Sequence, residues 1–127
     1  MNSAGGDSRT VLVVDDEPDL CEIIRRMLDG RGFAVLTAGG VVDAIETCAA
    51  HRGRLDLLVT DLRMPDGDGR DLAMTIRRSR PDTAVLYMSG LPPHAEQVRE
   101  LVGSEACMLA KPFTPRELVA AVTTALS

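Results

Sequence analysis

The stretch LLVTDLRMPDGDG, Leu57 to Gly69, runs apolar and partly β-branched up to a single acid, Asp61, then breaks into Pro65, Gly67, Gly69 and further acids. The apolar part reads as a buried strand and the remainder as turn chemistry. A carboxylate at the end of a buried strand is costly unless a positive charge stands beside it, because desolvation disfavours the charged form. The fold must therefore bring a cation to Asp61 from elsewhere in the chain.

Similar apolar runs recur at Thr10–Val14, Phe33–Thr37, Leu55–Thr60, Thr83–Met88 and Ala106–Ala110, and predict five short, mostly buried strands. Between them the spacing turns helical. Leu20, Ile23, Ile24, Met27 and Leu28 predict an amphipathic helix ended by Gly30 and Gly32. A second helix carries Val41, Ala44, Ile45 and Cys48; a third starts near Gly69, carries Leu72, Ala73 and Ile76 and ends before Pro81. A weaker fourth is marked by Ala95, Val98, Leu101 and Val102. The fifth opens on TPRE, with Thr114 as N-cap, Pro115 in the first turn and Glu117 closing a capping box. Alternation of this kind implies an open α/β sandwich of parallel strands with helices on both faces.

Composition bounds the rest. With 127 residues, 45% hydrophobic and 26% charged, the chain fits one domain with one core, here residues 9–127 behind a flexible leader, residues 1–8. The net charge is −5 and the 14 Lys and Arg residues are dispersed, so the basic stripe of a nucleic-acid binder is missing. Cys21, Cys48 and Cys107 are odd in number, far apart and set among apolar residues, the usage of a reducing compartment. The opening MNSAGGDSRT has no apolar signal core, and no stretch approaches the roughly 20 apolar residues of a membrane span. A soluble, cytoplasmic protein with no membrane contact is expected.

In open parallel sheets ligands collect beyond the carboxyl ends of the strands. Those ends carry Asp15, Asp16 and Glu17, then Asp61, then Ser89, then Lys111 followed by Pro112. Two carboxylates about 4 Å apart repel by roughly 4 kcal/mol at an effective dielectric near 20, so the cluster needs counter-charge. Lys111 supplies one positive charge, and an all-oxygen donor set with room for water suits Mg²⁺, with Mn²⁺ as a substitute. Metal, ammonium and hydroxyl donors are what a phosphoryl group in transfer requires, and a carboxylate can be the nucleophile, which makes Asp61 the expected acceptor.

In VLVVDDEP, LVTDLRMPDGDG, MSG and KPFTPREL, in that order and spacing, the chain resembles the receiver domain of two-component response regulators from about Arg9 to its end. The resemblance implies a flavodoxin-like (βα)5 three-layer sandwich with a five-stranded parallel sheet of order 2-1-3-4-5. It also implies Asp61 as phosphoacceptor, Asp16 as direct Mg²⁺ ligand, Asp15 acting on the metal through water, and Arg63 contributing its backbone carbonyl. Ser89 would bond the phosphoryl oxygens and Lys111 would pair with the phosphoryl group, with a cis bond to Pro112. The donor would be the phosphohistidine of a histidine kinase or histidine phosphotransfer protein, and two settings stay open: a free-standing regulator, or a domain of a longer parent with an attached kinase or output domain, as in a hybrid histidine kinase. A phosphorylation-dependent homodimer would use the face of the fourth helix, fifth strand and fifth helix. Two departures stand out: Met108 occupies the place of the switch aromatic three residues before the lysine, and Leu91 stands two residues after Ser89, where some relatives carry another aromatic.

Taken singly, several of these residues have plainer readings. Acids before Pro18 can cap a helix, Ser89 before Gly90 can be a turn, and Lys111 can be a solvated lysine. A calcium loop counted from Asp66 fails, with Asp71 where Gly belongs and Arg77 where the bidentate Glu belongs. Met64, Met74 and Met88 read as core filler, Tyr87 as packing, and His51 and His94 as surface residues. Three functions stay open: a phosphoacceptor signalling module that is no enzyme in its own right, a phosphorylation-independent interaction module suggested by Met108, and an aspartyl-phosphate-forming phosphohydrolase. The last would need a covering cap, for which the chain is short.

Overall fold

The computed structural model describes residues 8–90 and 107–127. In chain order these form β1 (Thr10–Val14), α1 (Pro18–Asp29), β2 (Ala34–Ala38), α2 (Val41–Ala50), β3 (Leu57–Asp61), β4 (Arg63–Met64), β5 (Gly67–Asp68), α3 (Gly69–Ser79), β6 (Ala84–Ser89), β7 (Cys107–Ala110) and α4 (Pro115–Leu126). Most of the leader, the expected fourth helix from Ala95 to Val102, Leu91 and His94 lie outside the described residues. The expected fifth helix is α4.

The main sheet is parallel throughout, in the order β2-β1-β3-β6-β7, which is the expected 2-1-3-4-5 once the small β4–β5 hairpin is set aside. The chain leaves β1 for β2 on one side and returns past it to β3 on the other, so strand order reverses between β1 and β3. In open parallel sheets ligands collect beyond the carboxyl ends of the strands at such a reversal.

Val11 to Val14 and Leu57 to Val59 have no exposed surface, which is why the two central strands are apolar without alternation. Alternate residues feed two cores. Leu12, Val14 and Leu58 meet Ala44 and Cys48 of α2 and Leu72, Ala73 and Ile76 of α3. Val11, Val13, Leu57 and Val59 meet Cys21, Ile24 and Leu28 of α1 and Leu118 and Val122 of α4. Each such Leu, Ile or Val contributes about 1.5–3 kcal/mol on burial, and together they hold the strand ends in register.

Three expectations need correction. The buried stripe of α1 is Cys21, Ile24 and Leu28, while Ile23 is 48% exposed. One residue is about 100° of helix, so Ile23 falls on the flank of a helix that shows the sheet only a narrow face. Ile45 and Met74 are exposed rather than core, for the same reason on α2 and α3. The segment after Leu62 is a hairpin, with Arg63 opposite Asp68 and Met64 opposite Gly67, in place of an open loop. Met64 drives this by turning inward into the α2–α3 core.

Candidate functional site

β1 and β3 are neighbours in register, Val14 beside Thr60, so the residues that follow them, Asp15 and Asp16, come level with Asp61. β6 lies beside β3 with Met88 opposite Asp61, and β7 lies beside β6 with Ala110 opposite Ser89. Ser89 therefore stands, in strand order, between Asp61 and Lys111. The Leu62 N–H donates to the Met88 carbonyl at 3.1 Å and the Lys111 N–H to the Ser89 carbonyl at 2.8 Å, which extends the ladder to the rim.

The cation that Asp61 needs is Lys111. Its ammonium donates to Asp15 Oδ2 at 2.7 Å and to Asp61 Oδ2 at 3.1 Å. Asp15 is fully buried, and its other oxygen, Oδ1, accepts the Glu17 N–H at 2.9 Å. Burial works against the Lys111 charge, but hydrogen bonds to Asp15 and Asp61 outweigh it and hold the ammonium above its usual pKa. For Asp61 the balance is reversed. Burial pushes its carboxyl above the ordinary value, Lys111 opposes the rise, and the Asp15 charge adds to it.

Asp15, Asp16 and Asp61 each offer an oxygen within 4.8 Å of the others. Three carboxylates against one ammonium leave two negative charges, which a divalent cation would neutralise. Donors of carboxylate type, with Asp16 exposed at the mouth, fit a hard, partly hydrated ion better than a soft one. Asp15, Asp16, Asp61, Ser89 and Lys111 are thus gathered at one rim. Arg63 follows in β4 with its side chain exposed. The Lys111–Pro112 bond is cis.

Several residues at the site carried no local signal. Thr60 is buried, and its hydroxyl donates to the Asp61 carbonyl at 2.9 Å. The Cys21 thiol points at the Asp15 carbonyl at 3.4 Å, and burial, with the Asp15 charge, pushes it up to about 11, so it is an inert packing group. A groove of about 450 Å³ lined by Ile45, Cys48 and Ile76 lies between α2 and α3, away from this chemistry.

A parallel sheet of this order with an acid cluster and a lysine at its rim is the arrangement expected of a receiver domain. The chain belongs to the response regulator receiver domain family, which it matches over residues 11–123. It is 35% identical over 119 residues to the probable transcriptional regulatory protein TcrX of Mycobacterium tuberculosis, covering 94% of this chain and 50% of that protein. It is 32% identical over 115 residues to the sensor kinase CckA of Brucella abortus, covering 91% of this chain and 12% of that kinase. Among solved structures, a response regulator receiver protein from Sinorhizobium medicae superposes with a TM-score of 0.80 at 30% identity, covering 96% of this chain and 97% of that one. The chain spans half the length of TcrX and a small part of CckA. No described helix is long and apolar enough to cross a membrane.

Proposed function

We propose that Asp61 accepts a phosphoryl group from the phosphohistidine of a histidine kinase or histidine phosphotransfer protein, in a Mg²⁺-dependent reaction, and that the phosphorylated domain binds its partners differently. The observation that carries this is the single ammonium of Lys111 shared between the buried Asp15 and Asp61. A carboxylate oxygen of Asp61 attacks phosphorus, and the phosphorus–nitrogen bond breaks with its electron pair leaving on imidazole. Water later cleaves the acyl phosphate and returns the carboxylate. Lys111 neutralises charge on the phosphoryl oxygens, and the Ser89 hydroxyl donates to them. Asp16 and Asp61, with Asp15 through water and the Arg63 carbonyl, would hold Mg²⁺, which supplies further charge neutralisation when bound.

Intact mass measurement with acetyl phosphate checks the proposal. Labelling should require Mg²⁺ and vanish in Asp61→Asn; labelling that survives the substitution refutes it.

Met108 supports a second reading. It is partly buried against the α2–α3 core beside Tyr87, its neighbour on β6, so an apolar thioether fills the place of the switch aromatic. A phosphorylation-independent module would bind its partner equally with and without beryllofluoride, whereas the leading reading requires a difference. A homodimer through a face that includes β7 and α4 belongs to the leading reading, and it should appear only with beryllofluoride.

A further inference from the structure

The helix α2 begins without a cap of its own. Gly40 stands at the N-cap position and has no side chain, which leaves the first N–H groups of the helix to find acceptors elsewhere. They find one 25 residues away. Asp66, at the tip of the β4–β5 hairpin, accepts the Val41 N–H at 2.9 Å on Oδ1 and the Val42 N–H at 3.1 Å on Oδ2. Those bonds hold its carboxyl below the usual range.

The surrounding residues make room for this contact. A Cβ on Gly40 would lie 2.8 Å from Asp66 Oδ1, and one on Gly67 would lie 2.9 Å from Val41 Cγ2, a stiff β-branched side chain. The other end of the hairpin is closed as tightly. The Gly69 N–H donates to the Leu62 carbonyl at 2.9 Å, and a Cβ on Gly69 would run into the Asp61 carbonyl. Between these two anchorages lies Arg63.

A hairpin with two residues in each arm does not hold its shape alone. Here it connects Asp61 directly to α3 and carries the carbonyl that the proposed function assigns to the metal. We propose that Asp66 is a positioning residue for the Asp61 site: by clasping α2 from the hairpin tip it fixes the Arg63 carbonyl and the main chain after Asp61. This rests on the reading of Asp61 as a Mg²⁺-dependent phosphoacceptor. A cap supplied from within α2 would serve the helix equally well, but it would leave the hairpin free to swing on Gly67.

The test uses the full chain and three variants. Asp66→Ala removes the clasp, Gly40→Ala displaces the carboxylate from the helix side, and Arg80→Met frees the opposite end of α2, where the Arg80 guanidinium donates to the carbonyls of Cys48, His51 and Gly53. Mg²⁺ affinity is read by calorimetry, the labelling rate with acetyl phosphate at low and saturating Mg²⁺, and stability by thermal unfolding. Asp66→Ala and Gly40→Ala should weaken Mg²⁺ binding about tenfold, the lower end for groups that orient metal ligands. Their labelling should recover as Mg²⁺ saturates. Asp66→Asn, which keeps one accepting oxygen, should lose less. Arg80→Met should lower the melting temperature and leave Mg²⁺ affinity within about twofold of wild type. Unchanged Mg²⁺ affinity in Asp66→Ala, or an equal loss in Arg80→Met, overturns the positioning role while leaving Asp61 as acceptor. A wild-type chain that neither binds Mg²⁺ nor takes up phosphate overturns the functional reading and the positioning role together.

Discussion

Lys111 is the chain's only lysine, against thirteen arginines, 14 − 1. That choice has a physical reason. A compact ammonium on a flexible stem can sit between the Asp15 and Asp61 oxygens at 2.7 and 3.1 Å, where a planar guanidinium would demand a fixed fork of acceptors. Residues of this kind were legible in the sequence because each falls at or directly after the carboxyl end of a strand. Asp66 and Gly69 were not, since their partners, the α2 N–H groups and the Asp61 carbonyl, are set by the fold and not by neighbours in sequence. Gly69→Ala is the sharpest residue-scale prediction. The added methyl meets backbone, which cannot rotate away, so overpacking should cost about 2 kcal/mol in chemical denaturation. A loss within error of zero would show that the turn after Asp61 yields freely.

At the scale of elements, the helices that announced themselves locally were read correctly. The opening of α4 is the clearest case, because its cap is built within four residues. The Thr114 hydroxyl accepts the Glu117 N–H at 3.1 Å and a Glu117 carboxylate oxygen accepts the Thr114 N–H at 2.8 Å. Thr114→Ala should cost about 1 kcal/mol by thermal unfolding, with Glu117→Ala adding little once the reciprocal bond is gone. Full additivity of the two would mean that the bonds act separately. The hairpin escaped notice for the opposite reason. Pro65, Asp66 and Gly67 announce a turn, but two-residue arms carry no periodicity, and what closes them is Met64 turning inward and Asp66 reaching α2. Periodicity also overstated the apolar faces. It counts which residues are apolar but not how wide a stripe the sheet covers, and so it placed Ile23 and Ile45 inside.

For the whole molecule, the gathered acids set function against stability. In a metal-free chain Asp61 sits partly buried beside the Asp15 charge, and burial with that charge pushes its carboxyl above the ordinary value against the pull of Lys111. Replacing it with the isosteric, uncharged Asn should therefore stabilise the fold in chelator-treated buffer, by about 1 kcal/mol or a rise near 4 °C in melting temperature. Lys111 keeps its bond to Asp15 in that variant. The pH dependence follows from the direction of the shift. A folded-state pKa above the unfolded one means that the folded chain binds this proton more tightly. Its contribution is fully present below the unfolded carboxylate pKa and is lost as pH rises through the raised folded value. The advantage of Asp61→Asn should accordingly be absent in acid, open as the pH climbs through and above the ordinary carboxylate range, and persist at neutrality. Mg²⁺ should reverse the order: at about a hundredfold excess over its dissociation constant it stabilises wild type by about 2.7 kcal/mol, and the variant, lacking one donor, by less. If Asp61→Asn instead melts lower than wild type without metal at pH 7, the Lys111 bond outweighs burial and repulsion, and the empty site is not the source of strain that its three acids imply.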